Sequence, residues 1–224
     1  MTPRTNARLA GAAFLVYIAA GVGGMVVSSR AMKGADGAAA KLAAIAAHPT
    51  AIGLTVLLSL VMVMCAIVLG VTLYALTRDA DRDLALLAMC CRLTEGAIGA
   101  AGMVSSQVVH SVAGSGNTGA DAATAVAVAG LMLATGSAYG AVAAIAFAFG
   151  SLLFACLFVR ARSIPVWLAW LGVAASALLV VVLPLGLAGF VSGPILNYVW
   201  APMAVFEVVL AGWLIGRGVG PAAT

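Results

Sequence analysis

Three charged side chains stand in stretches that are otherwise nearly free of charge. Arg92 and Glu95 lie in "CCRLTEG", residues 90–96, and Glu207 lies in "PMAVFEVVLAGWLIG", residues 202–216. Arg92 and Glu95 are three residues apart, so on a helix they project from one face and can pair directly. One guanidinium against two carboxyls leaves a formal excess of one negative charge, so either one carboxyl keeps a proton or another donor contributes. Such a cluster can floor a cavity that takes a ligand headgroup, a proton or an ion. It can equally be a structural clamp, with Arg92 locked between Glu95 and Glu207. Gln107 and His110, further along the segment of Arg92, and Tyr139 are secondary candidates for the same site. No Ser-His-Asp or Cys-His arrangement brings a base to a nucleophile, so no catalytic residue is assigned. His48 and His110 lack converging ligands, so neither a metal nor a cofactor is expected. Cys65, Cys90, Cys91 and Cys156 all lie in apolar runs and read as buried small residues, not a disulfide framework.

The elements that must position these groups follow from composition. Of 224 residues, 64% are hydrophobic and 8% charged, and the mean hydropathy is +1.18. A soluble domain carries about 25% charged residues, so the solvent for this chain is lipid. Continuous apolar runs, without the alternation of an outer-membrane barrel, call for helices. A span needs about 20 apolar residues, and six segments qualify: 8–28, 51–76, 84–111, 137–159, 165–189 and 199–216. The expected fold is an all-α, integral membrane six-helix bundle, one domain over residues 1–224. The run after Arg4 and Arg8 spans about 19 apolar residues, longer than the roughly 7–15 of a signal-peptide core, and reads as a retained first span.

Charge placement sets topology. Arg4, Arg8, Arg78, Arg82, Arg160, Arg162 and Arg217 fall on one side, against Arg30, Lys33 and Lys41 on the other. The positive-inside rule then places both termini in the cytoplasm of a multi-pass protein of the bacterial inner membrane. The net charge of +4 is accounted for by these segment ends, and no nucleic-acid partner is expected. Arg92 lies about 12 Å along the helix from Leu84, with Glu95 about 4.5 Å deeper. Glu207 is about 15 Å from Arg217. In a core about 30 Å thick, the three charges share a layer if the third and sixth spans touch.

Two outer connections are expected to form short extracytoplasmic interfacial helices. Residues 35–48 have an apolar stripe at helical spacing, ended by Pro49. Residues 121–160 would make one helix about 60 Å long, so a break is expected at "TGS", 135–137, with Asp121 as N-cap of the first piece. "SVAGSGNTGA", 111–120, reads as a flexible outer loop. Trp167, Trp170, Trp200 and Trp213 read as an interfacial belt, with Asn197, Tyr198 and Trp200 as an anchor.

Four stretches in order, "ARLAGAAFLVYIAAG", "LYALTRDADRDLALLAMCCRLTEGAI", "YGAVAAIAFAFGSLLFACLFVRARSIPVWLAWLGVAAS" and "PMAVFEVVLAGWLIGRGV", resemble a family of bacterial six-helix membrane proteins known as DUF4386, a domain of unknown function. The resemblance covers nearly the whole chain, and Arg92, Glu95 and Glu207 fall on the matching stretches. It implies a six-helix membrane fold and supplies no reaction, ligand or catalytic residue.

Function therefore rests on the charge cluster. The leading expectation is a noncatalytic membrane protein whose cavity, open on the outer side and reaching Arg92, binds a small amphipathic or lipid molecule. The alternative is a small proton-coupled transporter, in which Glu95 or Glu207 exchanges a proton while Arg92 holds an anionic substrate. An intramembrane enzyme with a glutamate as general base ranks last, and the ion-pair clamp remains the structural reading. Membrane lipids are the expected partners. Gly96, Ala100 and Ala101 suit helix packing within the chain or between subunits, so a homo-oligomer stays open.

Overall fold

Apolar runs of this length satisfy their backbone groups in hydrocarbon only as helices or closed barrels, and the chain takes the helical route. The structure, a computed structural model, describes residues 2–115 and 120–220. Its helices are α1 (Pro3–Ala31), α2 (Gly37–Ala47), α3 (Pro49–Thr77), α4 (Arg82–Gly114), α5 (Ala120–Ala161), α6 (Val166–Leu187), α7 (Ile195–Tyr198) and α8 (Ala201–Gly216). Proline sits in the first turn of α1, α3 and α8, where its missing N–H breaks no helix bond. Thr2 caps α1 by accepting from the Thr5 N–H, and Asp81 caps α4 by accepting from the Leu84 N–H at 3.1 Å.

The six long helices close into a ring in the order α1, α3, α4, α5, α6, α8, with α8 returning against α1. One end of the ring carries the first and last described residues, Thr2 and Gly220. There the Gly220 N–H donates to the Ser163 carbonyl at 2.9 Å, and Arg160 donates to Asp81 at 2.9 Å. The Leu84 N–H, and after it the Arg160 guanidinium, holds the Asp81 carboxyl below the usual carboxylate range.

The terminal half of the interior is filled. Phe14, Leu69, Phe154, Phe158, Phe206 and Leu210 are buried there. Helices approach so closely that glycine is required. A Cβ on Gly11 would lie 2.7 Å from the Ala211 carbonyl oxygen, and one on Gly150 would lie 2.8 Å from the Cys91 Cβ. At the opposite, far end α2 lies across α4 and α5, burying Ile45 with Ile52, Val109 and Ala129.

The expected break at residues 135–137 does not form: α5 is one helix of 42 residues, about 63 Å long. The hydroxyls thought to turn the chain instead bond within the helix. Thr135 donates to the Leu131 carbonyl at 2.8 Å and Ser137 to the Ala134 carbonyl at 2.8 Å. Asp121 therefore lies inside the first turn of α5 and not at an N-cap. The short interfacial helix expected over residues 35–48 is α2, whereas the second one is continuous with the span that follows it. In the outer loop expected at 111–120, residues 111–114 complete α4, and 116–119 lie outside the described residues.

Candidate functional site

The inward face of α4 carries Arg92 and Glu95 one turn apart, 1% and 6% exposed. Arg92 Nη1 lies 2.8 Å from Glu95 Oε2, an ion pair held by proximity without an aligned N–H···O bond. From α1, the Tyr17 hydroxyl donates to the other carboxylate oxygen, Glu95 Oε1, at 2.6 Å. The Arg92 guanidinium sits over two aromatic faces, 5.3 Å from the Tyr17 centroid and 4.9 Å from that of Phe147 on α5. Those rings are parallel within 4° at 6.4 Å, and Trp200 tilts against Phe147 at 5.9 Å. Desolvated cation–π contacts of this kind contribute about 2 kcal/mol. They let an arginine stand inside the bundle with one carboxylate as its direct ion partner.

This aromatic and ionic layer divides the interior. On the terminal side is a gap of about 10 Å³ lined by Arg92 and Glu207 together with Phe14, Leu73 and Phe206, near the lower limit for one water. Glu207 projects inward from α8 and is 5% exposed, and its Oε1 makes no hydrogen bond. Among the described residues no ion pair joins it to Arg92. Of the three charges, Arg92 and Glu95 are thus in contact, while Glu207 shares only the small gap with the guanidinium.

On the far side the layer floors a cavity of about 450 Å³. Its walls come from α3, α4 and α5, and small residues make up much of them. Gly96, Gly99 and Gly102 face it from α4, and Gly136 and Gly140 from α5. A Cβ on Gly140 would meet nothing within 4 Å. Behind α5 a second opening of about 500 Å³ runs between α5, α6 and α7. It shares Gly140, Ala144 and Trp200 with the first. Pro184, inside α6 at this level, removes a helix hydrogen bond where the crevice opens.

Of the secondary candidates, Tyr139 lines the cavity whereas Gln107 and His110 do not. The cavity was expected to reach Arg92. It ends at Glu95 and Tyr17 instead, because the guanidinium lies behind the two rings and lines only the small gap. Trp200, expected as an interfacial anchor, is a wall of the cavity. Tyr17 and Phe147 were not singled out at all. Tyr17 did carry a signal: nine residues past Arg8, it sits about 13.5 Å along its helix, close to the depth of Arg92 beyond Leu84.

Among the described residues, six apolar helical spans long enough to cross a bilayer, the sixth running through α7 and α8 (Ile195–Gly216), close around a buried ion pair and make the chain a multi-pass membrane protein. It belongs to the family DUF4386, a domain of unknown function, whose family model matches residues 9–218. No curated protein and no solved structure matches the chain.

Proposed function

We propose that the protein is a noncatalytic binding protein of the bacterial cytoplasmic membrane that holds a small amphipathic or lipid molecule in the far-half cavity. Glu95 and Tyr17 meet its polar group, and Arg92 and Glu207 set the charge behind them. The observation that carries this reading is the cavity itself. Its volume of about 450 Å³ falls within the roughly 300–1,000 Å³ of small-molecule sites, and apolar walls around a few convergent polar groups are their usual chemistry. The crevice between α5 and α6 adds a route by which an apolar tail can leave the cavity towards lipid. With the arginine-rich terminal end in the cytoplasm, the cavity opens outward.

Thermal unfolding in lipid nanodiscs tests the reading with dodecanol, dodecylamine and dodecanoate as probes. At least one probe stabilises the wild type, and a ligand at 100 times its Kd adds about 2.7 kcal/mol. Gly140→Trp, which places a large ring in the cavity, removes the effect. Stabilisation by none of the probes, or by all of them undiminished in Gly140→Trp, contradicts the reading.

A further inference from the structure

We infer that the headgroup the cavity selects is a cationic amine. This rests on the cavity reading above and adds the chemical class of the ligand.

Three features of the site lead there. Glu95 is the one charged residue on the cavity wall among the described residues, and no lysine, arginine or histidine lines it. The Arg92–Glu95 pair is also oriented. Arg92 lies behind the Tyr17 and Phe147 rings on the Glu207 side, so the pair turns its negative end to the cavity. A carboxylate offers about four lone-pair sites; Glu95 Oε2 is closed off beside Arg92, and Oε1, which accepts from Tyr17, keeps a second lone pair. A donor arriving from the cavity therefore finds acceptor capacity, whereas an anion meets like charge. Finally, the rings of Tyr17, Phe147, Tyr139 and Trp200 line the same space, and aromatic faces attract cations.

The charge balance points the same way. From the terminal side outward the row reads Glu207, Arg92, Glu95: negative, positive, negative. With both carboxyls ionised it carries a net −1, unfavourable in a low-dielectric interior, which either a proton on the buried Glu207 or a cation beside Glu95 offsets. A cation beside Glu95 completes an alternating row of four and brings it to zero. A fatty acid in the same place would deepen the excess. The amine's tail then runs along the glycine-lined wall towards Trp200 and the α5–α6 crevice.

The test is the affinity of the wild-type protein in nanodiscs for dodecylamine, dodecyltrimethylammonium, dodecanol and dodecanoate, read by Trp fluorescence and by native mass spectrometry. The two cations bind at least about tenfold more tightly than dodecanoate, a difference of about 1.4 kcal/mol. Glu95→Gln removes that preference while dodecanol binding persists. Because the wild-type comparison needs no variant, a poorly folding Glu95→Gln leaves the result intact. Equal binding of all probes, a preference for dodecanoate, or a cation preference unchanged in a folded Glu95→Gln overturns the inference and leaves the cavity reading standing. Binding of no probe overturns both.

Discussion

The two halves of this bundle use the same residue for opposite ends. In the terminal half, glycines let helices touch: a Cβ on Gly11 or Gly150 would overlap a neighbour at 2.7–2.8 Å. In the far half, Gly140 leaves room: it faces open space and helps line a cavity of about 450 Å³, while Gly102 still packs closely, its Cβ position 3.1 Å from the Tyr139 Cβ. Phenylalanines fill the first region to a residue of about 10 Å³, and the layer of Tyr17, Arg92, Glu95 and Phe147 separates it from the second. Lipid is as apolar as the side chains, so close van der Waals packing, with some help from polar contacts, holds membrane helices together. A half that forgoes packing gives up stability, and ligand sites are a common reason for that.

The largest effect should come at the dividing layer. Arg92→Met strands Glu95 as a buried charge without its ion partner, and losing one member of a buried pair costs about 3–5 kcal/mol. Equilibrium unfolding in mixed micelles checks this. A loss below about 1 kcal/mol would mean that the layer does not brace the two halves.

A pair of glycine substitutions probes the contrast itself. Gly11→Ala forces apart α1 and α8 and should cost about 1–3 kcal/mol. Gly140→Ala meets nothing and should be neutral, or gain up to about 1 kcal/mol in helix propensity. Equal costs in the same unfolding assay would erase the distinction between the halves.

The smallest effect lies at the terminal end, where the Leu84 N–H and Arg160 depress the Asp81 pKa. A depressed carboxyl contributes stability that is complete above its unfolded pKa of about 3.9 and is lost as pH falls through the lower folded value. Asp81→Asn keeps a capping side chain but not the charge. The wild type should therefore exceed this variant in melting temperature at pH 6, with the margin closing below about pH 4. A margin that widens on acidification would reverse the sign of this account.

Much of the fold was legible because span length and charged ends are one-dimensional quantities. Counting residues placed the six spans, and 1.5 Å per residue put Arg92, Glu95 and Glu207 at similar depths. The i,i+3 spacing of Arg92 and Glu95 fixed a contact within one helix. Rotation about a helix axis is not a matter of counting, so the same arithmetic could not tell whether Glu207 touches Arg92 or faces it across a gap. Tyr17 and Phe147 come from α1 and α5, and only the closed ring brings them to the guanidinium. The corner expected at residues 135–137 failed for a local reason. Thr and Ser hydroxyls can bond back into a helix as readily as they can turn a chain, and here they bond back. Gly96 reads from the sequence as a packing residue, and only its neighbours show that it also lines the cavity.

The central claim is that the far half holds an amphiphile. The most direct measurement is a crystal structure from lipidic mesophase grown with ω-bromododecylamine, collected at the bromine absorption edge. The account predicts continuous ligand density with the amine beside Glu95 and an anomalous bromine peak along the path past Trp200 towards the α5–α6 crevice. A cavity closed by Tyr139 and Met103, with bromine found only on the outer surface of the bundle, would contradict it.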